Sequence, residues 1–380
     1  MTNIISVKKW ARPMKTLDEG TNTPNLILPH KLSKSMKIDD IEPISITDSQ
    51  SECTSQPIFD LRRAAECHKI VRRNIQDYIK PGVSILEICN RIERNVKELF
   101  GRNDSKAGSA FPTGVSINEI ICHDTANSGD VRTIGYNDIC KVDFGTHVNG
   151  MIIDSAFSVA FNPEYEKLLE ASYEATWTGI KMAGPDSSIY DISSAIKEVI
   201  ESYEVTIKGK TYHVKPVGDI GGHSIEPYQI HGAQIILCEP LKTTEYKESR
   251  MIGGKQYAIE TFASTGTGKM FKSKTLQSNH YMLNKDNPVQ YKSKLKTINT
   301  AYNWVKRCRS TLAFCPRWME NDGVKGTMIS LNEMARKQNP PIVTEYCVLE
   351  DIPGSYVSHY EHTIFIHDFG TEVLSHGDDY

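Results

Sequence analysis

The feature that most constrains this chain is the dipeptide Asn149-Gly150, set inside the β-rich run ICKVDFGTHVNGMIIDSAFSVAF that extends from Ile139 to Phe161. Asn-Gly between two apolar runs is the strongest short hairpin signal, because both residues tolerate the positive φ that a two-residue turn demands. The turn also sets the register. Val148 must face Met151, Gly145 must face Asp154, and Asp143 must face Ala156. Asp143 and Asp154 then become diagonal neighbours on one face of the hairpin, with Cα atoms roughly 7–8 Å apart. Two carboxylates on apolar strands repel each other unless a cation or a proton separates them.

Other segments extend that set. Gly221-Gly222-His223-Ser224 carries a histidine where small residues permit close backbone approach, and His231 follows shortly after. Ala258-Ile259-Glu260-Thr261-Phe262 and Tyr360-Glu361-His362-Thr363-Ile364-Phe365-Ile366 are strand-like runs, each with one acid. Taken singly, an acid in such a run ordinarily points to solvent. Two aspartates, two glutamates and one histidine form instead the oxygen-rich set expected for two divalent ions sharing bridging carboxylates. Such a pair generates hydroxide at neutral pH and clamps a developing oxyanion.

Around these strands the apolar period is helical. Leu61, Ala65, His68, Val71, Ile75 and Ile79 recur until Pro81-Gly82, and Ile85, Ile88, Ile92, Val96 and Leu99 follow Ser84, with Glu87 placed for a capping box. The pattern returns about a hundred residues later, with a helical tract from Tyr165 to Ala183, a break at Gly184-Pro185, and Ser188-Ile189-Tyr190-Asp191-Ile192 opening the next helix. A helix pair followed by strands, twice, predicts an α+β architecture with pseudo-twofold character. Leu295, Ile298, Tyr302 and Val305 mark another helix in a Lys-rich insertion. Residues 1–55 lack apolar periodicity and predict a flexible extension, leaving 56–380 as the catalytic domain with a helical insertion at about 280–345.

Composition excludes several classes. The 380 residues carry 44 basic and 47 acidic side chains, a net charge of −3, too little for a field that gathers nucleic acid or an anionic membrane. No run approaches the ~18 apolar residues of a membrane span. The nine scattered cysteines include no CxxC pair, and the N-terminus has no secretory or myristoylation pattern, so a cytoplasmic protein with reduced thiols is expected. Ser264-Thr265-Gly266-Thr267-Gly268-Lys269 imitates a phosphate loop but has Ala263 and Met270 at its decisive positions, which predicts a plain loop after a strand.

The segments AFPTG, DICKVDFGTHVNGMIIDSAF, ESYEV, GHSI, IHGAQ, AIETF, SNHYM, TLAFCPRW, GSY, YEHTI and GDDY, spread over residues 58 to 380, give the chain a dense resemblance to the type 2 methionine aminopeptidases of eukaryotes and archaea. The resemblance implies the pita-bread fold, an α+β arrangement with a pseudo-twofold sheet, and a type 2 helical insertion between Glu260 and Glu361, which stand 101 positions apart. It implies Asp143, Asp154, His223, Glu260 and Glu361 as ligands of two divalent ions, with Asp154 and Glu361 bridging. Manganese, iron or cobalt is expected, with zinc as a further option. His123 and His231 fall on the substrate-side histidines, and Glu260 becomes the candidate proton shuttle. Phe111, His280, Ala313 and Tyr346 match the methionine pocket. In type 2 enzymes the residue corresponding to His123 is the one alkylated by spiro-epoxides of the fumagillin class.

The implied substrates are nascent chains and peptides that begin with methionine followed by a small residue, processed by a cytoplasmic monomer without nucleic-acid or membrane partners. Residues 1–55 lack the acidic and polybasic blocks of many eukaryotic relatives, so ribosome association by that route is not implied. Asp124 stands beside His123 where a tyrosine is expected, and a charge there predicts a stabilised imidazolium. The rival readings are an Xaa-Pro peptidase and a metal-free binding protein of the same fold.

Overall fold

The computed structural model describes residues 56–285 and 291–380, together with the backbone of Leu26–Ile27. Leu26 and Ile27 pair in parallel with Thr371 and Glu372, and the flexibility expected for the rest of residues 1–55 falls outside the described residues.

Helices α1 (Gln56–Tyr78) and α2 (Ile85–Phe100) flank the Pro81-Gly82 turn. The stripe of Leu61, Ala65, His68, Val71 and Ile75 is wholly buried, as its spacing requires. The expected capping box is not formed. Ser84 makes no side-chain cap, and Glu87 is instead hydrogen-bonded to the Tyr78 hydroxyl. Helices α3 (Glu166–Met182) and α4 (Ile189–Glu201) repeat the arrangement, and here Ser188 does cap, accepting from Asp191 N.

The first helix pair packs on a four-stranded sheet. Its long strand β3 (Ile139–Val148) pairs with β4 (Met151–Ala160) on one edge and with β1 (Ala107–Ser109) and β2 (Gly114–Ile117) on the other. The second pair packs on a seven-stranded sheet containing β5 (Gly221–Ile225), β6 (Ile235–Leu237), β7 (Gln256–Ser264), β10 (Val357–His367) and β11 (Gly370–Val373). In this sheet β10 lies between β7 and β11, antiparallel to both. Strands β4 and β10 abut where the two sheets meet. Each helix pair thus covers its own sheet, the recurrence that the sequence echo predicts.

Between β7 and β10 the chain adds a small unit with its own core: β8 (His280–Leu283) paired with β9 (Val343–Tyr346), and helices α5 (Lys296–Trp304), α6 (Pro316–Asn321) and α7 (Thr327–Arg336). Ile298, Tyr302 and Val305 are buried in it, but Leu295 is 56% exposed because it precedes the first helical turn. The loop after β7 carries no phosphate-loop geometry. The Asp351 carboxylate fills it, accepting from Ser264 Oγ (2.7 Å), Thr267 N (3.0 Å) and Gly268 N (3.0 Å).

Candidate metal centre and active site

The hairpin register counted from the turn is the register observed: Gly145 opposes Asp154 and Asp143 opposes Ala156, with Asn149 and Gly150 both at positive φ. Gly145 is required by packing as well, since a Cβ there would come 2.3 Å from the Phe111 ring.

A polar seam fixes this hairpin against β10. Asp154 N donates to Thr363 Oγ1 (2.8 Å), and that hydroxyl donates back to the Asp154 carbonyl (2.6 Å). Ser155 Oγ donates to the Glu361 carbonyl (2.7 Å) and Ser158 Oγ to the His359 carbonyl (2.8 Å). The Tyr380 hydroxyl accepts from Glu361 N (3.0 Å) and is hydrogen-bonded to the Ala156 carbonyl. These bonds satisfy backbone groups at the sheet junction and hold Asp154 and Glu361 at fixed positions.

Two further strands supply the remaining groups. Glu260 opposes Glu361 across the β7–β10 ladder, and His223 on β5 opposes Ala258. The His223 neighbour Gly222 permits this approach, because a Cβ there would lie 2.3 Å from the Ala258 carbonyl oxygen. His223 Nδ1 donates to the Ser224 carbonyl (3.2 Å), which leaves the lone pair on Nε2. That atom lies 3.7 Å from Asp154 Oδ2 and 3.8 Å from Glu260 Oε1. A backbone carbonyl that fixes the tautomer this way is the usual support of a metal-binding imidazole.

The electrostatics demand a cation or protons. Burial pushes the carboxyls of Asp143, Asp154 and Glu361 far above their ordinary range, and repulsion among the acids adds to it. Burial takes Glu260 up to about 8 and His223 down to about 4. Asp143 Oδ1 and both Glu361 carboxylate oxygens are buried without a hydrogen-bond donor. Asp154, His223 and Glu361 each present one ligand atom within 4.8 Å of the others, and Glu260, His359 and Glu361 form a second such group. Glu361 belongs to both groups, as a bridging carboxylate does. Neutral imidazole nitrogen and donor-less carboxylate oxygen are a donor set that fits divalent ions.

Asp143, Asp154, His223, Glu260 and Glu361 border a cavity of about 340 Å³ whose lining also includes Phe111, His123, His231, His280, Ala313 and Tyr346. The structure therefore brings all eleven sequence-selected residues to one place. His123 has φ +64°, a strained value for a non-glycine residue, and its Nδ1 donates to the Cys347 carbonyl (3.2 Å). Burial holds its pKa below the ordinary histidine range. Asp124 does not stabilise an imidazolium there: its carboxylate is buried and turned to Arg132, with contacts of 2.6 and 3.1 Å. His231 stands 4.6 Å from His223, ring to ring, and although it keeps an exposed edge, desolvation within the cavity and the neighbouring imidazoles hold its pKa below the ordinary histidine range. Sequence reasoning missed His359. The i, i+2 spacing puts His359 on the face of Glu361, but only the register across to β7 sets it beside Glu260.

Residues 60–270 match the family model "Metallopeptidase family M24". The chain belongs to that family. Methionine aminopeptidase 2A of Arabidopsis thaliana is 41% identical over 338 residues, covering 87% of this chain and 73% of the relative. Methionine aminopeptidase 2 of Saccharomyces cerevisiae is 42% identical, covering 84% and 76%, and that of Dictyostelium discoideum is 40% identical, covering 84% and 71%. Among solved structures, a thermophilic Arx1 superposes with a TM-score of 0.68 at 19% identity, covering 84% of this chain and 91% of that one. A methionine aminopeptidase of Thermotoga maritima gives a TM-score of 0.57 at 19% identity, covering 85% and 97%. At such identities the structural likeness carries the fold alone. It is the pita-bread fold of M24 metallopeptidases, as the sequence predicts.

Proposed function

We propose that this M24 metallopeptidase removes methionine from the N-terminus of peptides and nascent proteins whose second residue is small. The observation that carries this reading is the meeting of Asp143, Asp154, His223, Glu260 and Glu361 beside a cavity walled by Phe111, His280, Ala313 and Tyr346. In this assignment those five residues hold two divalent ions, with manganese, iron or cobalt suiting a carboxylate-rich set better than zinc. Bound divalent ions supply Lewis acidity there, activating water and stabilising developing negative charge.

The chain's own groups do the rest. The mostly apolar walls orient an unbranched thioether side chain. His123 Nε2, left with its lone pair by the Nδ1 bond to Cys347, can accept the N–H of the scissile amide. His231, neutral, can donate a ring N–H to the scissile carbonyl oxygen, an interaction that strengthens as charge develops. Glu260, whose carboxyl is already held near neutral range by burial, takes the role of holding and returning the proton.

All eleven of these residues come from one chain, so the reading, action as a monomer, needs no second copy to supply them. Among the described residues no helix is long and apolar enough to cross a membrane, and the cysteines are unpaired, which supports action in the reducing cytoplasm. The test is release of methionine from a Met-Ala-Ser peptide by chelated protein resupplied with manganese, iron, cobalt or zinc. Metal-dependent release supports the proposal, and its absence with every metal overturns it.

A further inference from the structure

The five-ligand assignment contains one imidazole, yet two meet at the carboxylates. His359 is 1% exposed and stacks on Phe262 with ring centroids 4.0 Å apart, so its plane is fixed by packing. Its Nε2 lies 3.1 Å from Glu260 Oε2 and 4.0 Å from Glu361 Oε2. Despite that proximity Nε2 has no properly directed hydrogen-bond partner, and the Glu361 oxygens have none either. The two imidazoles approach different oxygens of Glu260, His223 beside Oε1 and His359 beside Oε2. Cross-strand geometry explains how: His359 and Glu361 share the face of β10 that meets Phe262 and Glu260 on β7.

An imidazole nitrogen aimed at two carboxylates without making a hydrogen bond is placed for a shared cation. We infer that His359 is an additional metal ligand, binding through Nε2 the divalent ion that Glu260 and Glu361 hold. The inference rests on the proposed dinuclear centre and deepens it. A nitrogen ligand in place of a water or a further oxygen tightens that site for borderline metals over magnesium or calcium.

Two measurements on the full chain test this, and neither depends on turnover. In the first, His223→Ala protein is loaded with Mn(II) and examined by electron spin echo envelope modulation. If His359 ligates, imidazole ¹⁴N coupling persists, whereas if His223 is the sole imidazole ligand it disappears, overturning the inference. In the second, calorimetric titration of chelated protein with Mn(II) compares wild type with His359→Gln. Glutamine still offers a hydrogen-bond donor toward Glu260, so a merely positioning histidine would leave both affinities within a few-fold. A ligand predicts that one binding event weakens by about a hundredfold or more, beyond the ~10–100-fold range of outer-shell losses, while the other is retained. Wild-type protein that binds no divalent ion would overturn the dinuclear centre itself, a result distinct from two events unaffected by His359→Gln, which overturns only this inference.

Discussion

Glu260 and Glu361 oppose each other directly across the antiparallel β7–β10 ladder, with the donor-less carboxylate of Glu361 facing its partner's side chain. Like charges at a directly opposed pair destabilise a sheet, so this pairing favours the fold only when protons or cations neutralise it.

The first prediction follows from that opposition. Both carboxyls have folded-state pKa values raised above their unfolded values, Glu260 to about 8. A raised pKa contributes stability that is present below the unfolded value, about 4.3, and is lost as pH rises through the folded value. Chelated protein should therefore melt at falling temperature between about pH 5 and 8, relative to a Glu260→Gln variant measured alongside. Saturating Mn(II) should flatten this dependence in wild type and add roughly 3 kcal/mol at a hundredfold excess over Kd. Parallel melting curves for the two chelated proteins would remove the repulsion argument.

Removing a shared ligand is the second. Asp154→Ala and Glu361→Ala should each abolish methionine release, by more than about a thousandfold in kcat/KM, and lower the metal content per chain. Near-normal hydrolysis by either purified variant contradicts a dinuclear centre.

The third concerns the pocket. Ala313 is buried at the cavity wall with Phe111, so Ala313→Leu should fill space meant for the substrate side chain and reduce kcat/KM on Met-Ala-Ser by at least about tenfold, or 1.4 kcal/mol, without changing metal content. Met-Lys and Met-Leu peptides should stay uncut by wild type. Unchanged kinetics in the variant would place the methionine elsewhere.

His123 gives the fourth. With Nδ1 bonded to Cys347 and Asp124 committed to Arg132, its Nε2 should be the nucleophile toward a spiro-epoxide of the fumagillin class. Because burial lowers its pKa, the neutral reactive form should persist below pH 6.5, and the rate should fall only at more acid pH. Mass spectrometry should place one adduct on the peptide containing His123, and His123→Asn should abolish it. An adduct on a cysteine contradicts the assignment.

Buried histidines away from the centre set acid lability, the fifth. Burial takes His68 and His147 down to about 3. A histidine whose folded pKa lies below its unfolded value of about 6.5 contributes stability that is fully present above pH 6.5 and lost as pH falls toward 3, because the unfolded chain binds the proton first. His68→Gln, which keeps a donor toward the Phe144 carbonyl, should show a shallower loss of stability over pH 6 to 4 in denaturant titrations. An unchanged slope would mean that His68 is not neutral in the native state.

What the sequence determined by itself was local and periodic. Asn149-Gly150 dictated the hairpin and its register, and with it the proximity of Asp143 and Asp154, because a two-residue turn leaves no freedom in counting. The 3.6-residue stripes dictated both helix pairs, and the contiguous motifs identified the family. Tertiary structure decided what depends on alignment between distant strands and on competition among partners. Ser84 and Glu87 have the spacing of a capping box, but Tyr78 takes the glutamate. Asp124 sits next to His123 in the chain, but Arg132 draws its carboxylate away. His359 looks like one more strand residue until the β7–β10 register sets it against Phe262 and beside Glu260, for nothing in a single strand states which residue 97 positions earlier will lie opposite.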